Sequence, residues 1–353
     1  MNFLEYIWID KDGYPRSKMR VVHLKDDIHL WNLEKTLSLI PLWNFDGSST
    51  GQNIGKDTEV VLKPVRLYRD PFCSDKSNSY LVLCELDLEY NSTSDILKND
   101  PIEGFNTRKW ASKIAQKYKD LDPWFGLEQE YALLDSKTNL PYNWKEANNS
   151  QTQGDFYCSV RYPQCQLNDM IREHLLLCAN AGIVINGFNA EVLPSQWEFQ
   201  VGPTNLLKAA DDLIMARYLL FRLSTKYQVT VSLHPKPMSG DWNGSGCHLN
   251  FSTNLMREPS KGIDFINKTV EHLAADHPNI LKYYGKHNEL RLTGEHETSN
   301  MKTFSHGIGT RHTSVRIPNQ VASQGYGYIE DRRAASNIDP YLALGKLLET
   351  SQN

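Results

Sequence analysis

The segment PWFGLEQEYALLD, residues 123–135, constrains this chain more than any other. It is apolar and aromatic, yet it carries Glu128 and Glu130 with one residue between them. In a strand, successive side chains point to opposite faces, so residues two apart share a face. The pair then sets two negative charges about 7 Å apart on one side of a sheet. Like charges that close repel unless a cation or protons neutralise them. Standing alone, the pattern is met by an edge strand with two solvated glutamates.

The two acids do not stand alone. In AEVLPSQWEFQVGP, Glu191 and Glu198 lie in otherwise uncharged surroundings. Pro194 and Ser195 between them predict a turn, which lets the two carboxylates face each other across a hairpin. GSGCHLNFS places His248 after a glycine-rich turn and before a short strand, and YGYIEDRRAAS places Glu330 beside Arg332 and Arg333. Taken singly, a strand histidine is ordinarily a hydrogen-bonded core residue, and Glu330 beside two arginines an ordinary surface ion pair. Together they are five glutamates and one histidine on strands of one region. Burying several carboxylates without partners costs several kcal/mol each, and divalent cations remove that cost. Oxygen-rich ligand sets with at most one imidazole suit Mg²⁺ or Mn²⁺ better than Zn²⁺. Six ligands are enough for two or three ions, an arrangement used to offset phosphate charge. Arg291, Arg311, Arg316 and Arg332 add forked donors that match carboxylate and phosphate oxygens.

The remaining chain supplies the frame. Residues 1–97 read as strand-rich, with EYIWID, MRVVHL, EVVLKPVRLY and YLVLCELDL separated by turn clusters. EYNSTSDILKNDPIEG reads as a linker. NTRKWASKIAQKYKDL has helical spacing, with Trp110, Ile114 and Tyr118 on one face. Further along, LNDMIREHLLLCANAG predicts a helix capped by Asn168 and closed by Gly182. LKAADDLIMARYLLFRLSTKYQ and KGIDFINKTVEHLAADHPNI each predict one helix, and VTVSLHP a strand. The chain therefore reads as α+β, with a small β-rich domain (1–97) before a larger mixed one (98–353). A net charge of −4 gives no basic footprint for nucleic acid. No stretch is apolar enough to span a membrane, and MNFLEYIWIDKDG lacks the basic start of a signal peptide. Six cysteines without a C-x-x-C pattern fit a reducing cytoplasm.

The motifs NFDGSST (44–50), RDPF (69–72), PWFGLEQEY (123–131), NAEVLPSQWEFQVGP (189–203), WNGSGCHLNFS (242–252), RLTG…HETSN (291–300), RIP (316–318) and EDRR (330–333) occur in the order found in glutamine synthetases. The chain resembles the eukaryotic-type, class II branch from its first strand to about Leu348. The resemblance implies an N-terminal β-grasp domain and a catalytic domain built on a curved antiparallel sheet with flanking helices. It implies ATP-dependent ligation of ammonia to glutamate through a γ-glutamyl phosphate, in a homo-oligomeric ring, a decamer of two pentamers, with active sites between subunits. By the same resemblance, Glu130, Glu191 and Glu198 hold one metal ion, and Glu128, His248 and Glu330 a second. ATP meets Trp124, Glu128, Glu198, Asn250, Ser252, Arg311, Arg316 and Tyr328. Glutamate meets Trp242, Asn243, Gly244, Arg291, Arg311 and Arg332. Asp46 and Glu297 handle ammonium and its protons, with Glu297 on a closing flap, and Arg311 and Arg332 assist the chemistry. Three positions depart from the family pattern: Glu295 replaces an aromatic residue, Asp241 an asparagine and Ala334 a proline. A related glutamate–polyamine ligase, a non-catalytic homologue and a guanidino kinase are the competing readings. The acids Asp46 and Glu297 favour ammonium, the six retained ligand positions favour catalysis, and NFDGSST with HETSN argues against the kinase.

Overall fold

The computed structural model describes residues 1–24, 28, 30, 32–53, 56–73, 77–87, 106–142, 144, 155–161 and 166–352. The expected linker and the expected domain boundary at 97/98 lie outside the described residues. The strands are β1 (Asn2–Ile9), β2 (Pro15–Val22), β3 (Trp43–Asp46), β4 (Glu59–Arg69), β5 (Ser79–Asp87), β6 (Trp124–Asp135), β7 (Ile185–Ala190), β8 (Gln196–Thr204), β9 (Val229–Ser232), β10 (Cys247–Ser252), β11 (His306–Ile308), β12 (Val315–Ile317) and β13 (Ile329–Asp331). The helices are α1 (Leu33–Leu39), α2 (Thr107–Lys117), α3 (Asn168–Ala181), α4 (Leu206–Tyr227), α5 (Gly262–Ala275), α6 (His277–Ile280), α7 (Asn319–Gln324) and α8 (Pro340–Thr350).

The first five strands form one mixed sheet in the order β2-β1-β5-β4-β3, with β1 and β5 parallel. Helix α1 packs on β4, the helix-on-sheet plan of a β-grasp. The second sheet runs β11-β12-β13-β10-β6-β8-β7, and β9 also pairs with β6. It curls, and it is antiparallel throughout except for the parallel pair β11 and β12.

Alternation along β6 builds the catalytic-side sheet. Phe125, Leu127, Tyr131 and Leu133 are almost wholly buried in the core shared with α3, α4 and α8. Full burial of such a side chain contributes roughly 1.5–3 kcal/mol. The even positions, Glu128 and Glu130, take the other face. Beneath the core face lies α4, which is capped by the Asn205 side chain and contacts β6, β8 and β9.

Two helix expectations are corrected. Asn168 is the first helical residue of α3, not its cap; Leu167 occupies the cap position without a side-chain hydrogen bond. Gly182 does close that helix, with φ of 88°. The segment 261–280 is two helices, because the chain leaves helical geometry at Asp276 and Pro278 starts a new turn.

Candidate active site

The register of the second sheet collects acids from three strands, and a histidine from a fourth, on one face. Glu128 on β6 stands directly opposite His248 on β10 and Gln200 on β8. Glu130 stands opposite Glu198 on β8. Glu330 on β13 stands between Asn250 on β10 and Arg316 on β12. Directly opposed residues share a face, so this register alone forms a row of polar side chains across the sheet. Glu191 follows the end of β7, beyond the register pairs; Glu198 faces Asn189, so the expected direct pairing of Glu191 with Glu198 does not occur. Both nevertheless line the same cleft.

The row is closely bonded. Asn250 donates to Glu128 Oε1 at 2.8 Å, and the Gly246 amide donates to Glu130 Oε2 at 2.7 Å. Gln200 donates to Glu198 at 2.7 Å, and Asn189 to Glu191 at 2.8 Å. Arg291 Nη2 lies 3.1 Å from His248 Nε2. A guanidinium only donates, so Nε2 accepts and Nδ1 carries the proton, aimed at Glu128 Oε2 at 3.3 Å. Arg316 and Arg332 both bind Glu330, at 3.0 and 2.5 Å. The adjacent Asp331 and Arg333 pair with each other on the buried opposite side, at 2.6 Å.

Burial and crowding tune these groups. Burial, then the charges of Glu128, Glu130 and Glu191, pushes Glu198 up to about 9. Burial, then Glu130, pushes Glu191 up to about 8. Burial raises Glu130 as well, partly offset by Arg291. His248 is held well below its ordinary value by burial and then by Arg332, so it is neutral; to ligate a metal beside Glu128, Nδ1 would give up its proton and Arg291 would turn away from Nε2. Carboxylates that resist ionisation among protein groups alone are suited to a divalent cation. The donor set fits a hard cation: ligand atoms of Glu128, Glu198 and His248 all lie within 4.8 Å of one another.

The cleft above this row has a volume of about 770 Å³. Its walls include all six expected ligands, Arg291, Arg311, Arg316 and Arg332, and also Asn243, Gly244 and Glu297. A second cleft of about 970 Å³ adjoins it and shares Glu128 and Gln200. Trp124, Asn250, Ser252 and Tyr328 line this second cleft. Arg257 lies over the Trp124 ring at 4.1 Å, anchored by Asp122 at 2.7 Å. The glycine-rich turn is required by packing. A Cβ on Gly246 would stand 2.5 Å from Arg291 Nη2, and one on Gly244 would stand 2.7 Å from Arg291 Cγ.

Two expected residues are placed elsewhere. Trp242 does not line the cleft; its ring packs edge-on against Trp144, centroids 5.2 Å apart. Asp46 is exposed at the end of β3 and lines neither cleft. Ser48 and Ser49 hydroxyls donate to it at 2.7 and 2.8 Å, and with the Thr58 hydroxyl they hold its carboxyl down to about 2. Sequence reasoning missed Gln200, Asn189, Tyr157 and Arg257. For Gln200 the signal was present, since it sits two residues after Glu198 on the same strand face.

Residues 105–352 match the family described as glutamine synthetase, catalytic domain. The chain belongs to the glutamine synthetase family. It is 46% identical to the glutamine synthetase of Kluyveromyces lactis over 346 residues, covering 98% of this chain and 87% of that protein. Identity to the Saccharomyces cerevisiae glutamine synthetase is also 46%, covering 98% and 88%. The Agaricus bisporus glutamine synthetase is 45% identical over 347 residues, covering 98% and 92%.

The three departures from the glutamine synthetase pattern fall in different settings. Ala334 is fully buried and its carbonyl accepts the Cys247 amide at 3.0 Å. Glu295 is exposed, and its carbonyl accepts the Thr298 hydroxyl at 2.7 Å. Asp241 bonds His296 at 2.9 Å.

Proposed function

We propose that the acid-lined cleft is where this chain, an ATP-dependent glutamate–ammonia ligase, makes glutamine. The observation that carries the assignment is Arg291. It is buried against the glycine turn, and its Nη1 has no hydrogen-bond partner among the described residues. A buried guanidinium nitrogen without a partner is costly unless a ligand carboxylate completes it. Arg291 beside Asn243 and Gly244 is thus suited to hold the amino-acid end of glutamate.

A carboxylate is a poor electrophile, so ATP phosphorylates the γ-carboxylate first. In this reading the nucleotide lies in the adjoining cleft, its base against Trp124 and near Asn250, Ser252 and Tyr328. Its phosphates point past the shared wall at Glu128 toward Arg311 and Arg316. Arg332 meets the transferring phosphoryl group. Mg²⁺ or Mn²⁺, two or three per site, would be held by Glu130, Glu191 and Glu198 and by Glu128, His248 and Glu330; when bound they offset phosphate charge. Arg316 and Arg332, now on Glu330, are free to exchange that carboxylate for phosphate oxygens. Glu297, on the rim and 4.0 Å from Arg311, accepts a proton from ammonium as the nucleophile forms.

We further infer a β-grasp domain at 1–97, a catalytic domain at 98–353 and a cytoplasmic setting; among the described residues, no helix is long and apolar enough to cross a membrane. The exposed position of Asp46 supports a ring, a decamer of two pentamers, in which Asp46 serves a neighbour's cleft. Asp46→Ala and Glu330→Ala should each be nearly inactive, whereas wild type with Mg²⁺ releases one phosphate per glutamine. In mixed rings, an intact interface needs its Asp46 from one variant and its Glu330 from the other. Random assembly leaves about a quarter of interfaces intact, so co-expression restores up to roughly that fraction of activity. Tagged mixed rings no more active than the separate variants would rule out the shared site.

A further inference from the structure

Two loops meet at the mouth of the cleft. One, residues 293–300, carries Glu297; the other, residues 240–244, carries Asn243 and Gly244. The first holds two consecutive non-glycine residues in left-handed conformation, His296 at φ 53° and Glu297 at φ 59°, after Gly294 at φ 88°. Such residues cost free energy and persist only when their surroundings over-determine them. The base of this loop is fixed, since Thr298 Oγ1 donates to the Arg291 and Glu295 carbonyls at 3.1 and 2.7 Å. At the tip, His296 Nε2 lies 2.9 Å from Asp241 Oδ1.

The loop that supplies Asp241 is itself anchored. Lys236 Nζ donates to the Trp242 carbonyl, the Trp242 amide donates to Gly240 at 2.9 Å, and the Trp242 ring rests on Trp144. Burial lowers the Lys236 value, and the charge of Asp241 nearby partly offsets that. The loop is therefore a fixed post, and the 293–300 loop is the partner that needs holding.

We propose that Asp241 and His296 form a clasp that positions Glu297 over the cleft. This rests on the reading of the cleft as the ligase site. Both are positioning residues: they act through the backbone that sets Glu297, whose carbonyl lies 3.5 Å from Arg332 Nη2. The clasp also explains why an acid stands at 241, where the family pattern has an amide: a carboxylate holds an imidazole N–H more strongly than an amide oxygen does. With the clasp made, Glu297 meets ammonium and the rim excludes water from the acyl phosphate.

The test is the ratio of phosphate released to glutamine formed at subsaturating ammonium, together with hydrogen exchange of residues 293–300. D241A and H296A should each raise the ratio and the loop's exchange roughly two- to fivefold, the scale of a single contact at an exposed carboxylate. D241A/H296A should be no worse than the more affected single variant, because the pair acts as a unit. H296Q, which retains an N–H at similar reach, should recover most of the coupling. Additive effects of the two alanines, or unchanged ratio and exchange in both single variants, would overturn the clasp. Should wild type form no glutamine, the ligase reading falls by itself, and the exchange cycle alone decides the clasp on the same terms.

Discussion

Two groups of buried carboxylates lie in the same half of this molecule, and they are treated in opposite ways. On α4, Asp211 is fully buried and receives Arg66 at 2.6 Å, Arg108 at 2.9 Å and the Tyr341 hydroxyl at 2.6 Å. These partners outweigh burial and hold its carboxyl below the ordinary value. Its neighbour Asp212 is matched by Lys208 at 2.7 Å and Tyr68 at 2.8 Å. On the cleft face, Glu191 and Glu198 have amide donors from Asn189 and Gln200 but face further carboxylates, and both are pushed up to about 8 and 9. Arginines and a lysine thus meet the acids that join α4 to other elements, whereas Glu191 and Glu198 on the cleft face have only amide donors, although Glu330 on the same face is held by Arg316 and Arg332. The raised values of Glu191 and Glu198 set these cleft acids apart from Asp211, whose value is lowered.

Exchanging one acid for its amide in each cluster breaks the comparison most directly. Asp211→Asn leaves two guanidinium groups in a nearly dry site, so unfolding free energy falls by on the order of 3 kcal/mol. The variant that still folds keeps its activity per active molecule, since Asp211 is remote from both clefts. Glu130→Gln does the reverse: glutamine formation falls at least about 10–100-fold, while stability in chelator is unchanged or rises. Denaturant melts and the coupled assay on both variants check this. A Glu130→Gln enzyme within about threefold of wild type would return Glu130 to a structural role.

That contrast shows what could be read in the sequence. The cleft acids were legible because each sits on a short strand, where period-two alternation fixes the face, and because Glu128 and Glu130 declare themselves by their spacing. The structural cluster was not. ADDLIMARYLL reads as one helix of ordinary composition, and the arginines that complete Asp211 lie 145 and 103 residues away. Asn168 failed as a cap because tertiary packing starts α3 one residue earlier than the local signal suggests. Asp46 was expected from its motif, yet in the structure it is exposed and lines neither cleft, a placement that the motif alone does not give.

The two clusters also carry opposite pH signatures in chelator. Glu198 titrates near 4.5 unfolded and near 9 folded, so its protonated form favours the fold. Its contribution is complete below pH 4.5 and drains as pH rises toward about 9. Asp211 is held below 3.8, so its contribution is present above that value and is lost as pH falls through its folded value. Thermal melts in chelator should therefore decline from about pH 5 to about pH 9, and Glu198→Gln should flatten that slope. Mg²⁺ should flatten it as well, with proton release on binding. Equal slopes for wild type and Glu198→Gln would remove Glu198 as the source.

The smallest effect belongs to an acid in neither cluster. Glu295 stands where the family pattern has an aromatic residue, two positions before Glu297 on the expected flap. In the structure it is exposed, and the contacts that fix its segment run through its backbone: its carbonyl takes the Thr298 amide at 3.1 Å and the Thr298 hydroxyl at 2.7 Å. An exposed charge in water exerts little force on a group two residues away, and salt screens it further. Glu295→Phe should therefore leave the Michaelis constant for ATP alone and shift that for ammonium by less than about threefold, with the shift shrinking as ionic strength rises. The comparison is with D241A, where a specific bond to His296 at 2.9 Å is lost. A large change in Glu295→Phe that persists in high salt would mean that the side chain packs against the closing loop during turnover. The boundary between acids that bind, acids that brace and acids that are merely exposed would then have to be redrawn at this position.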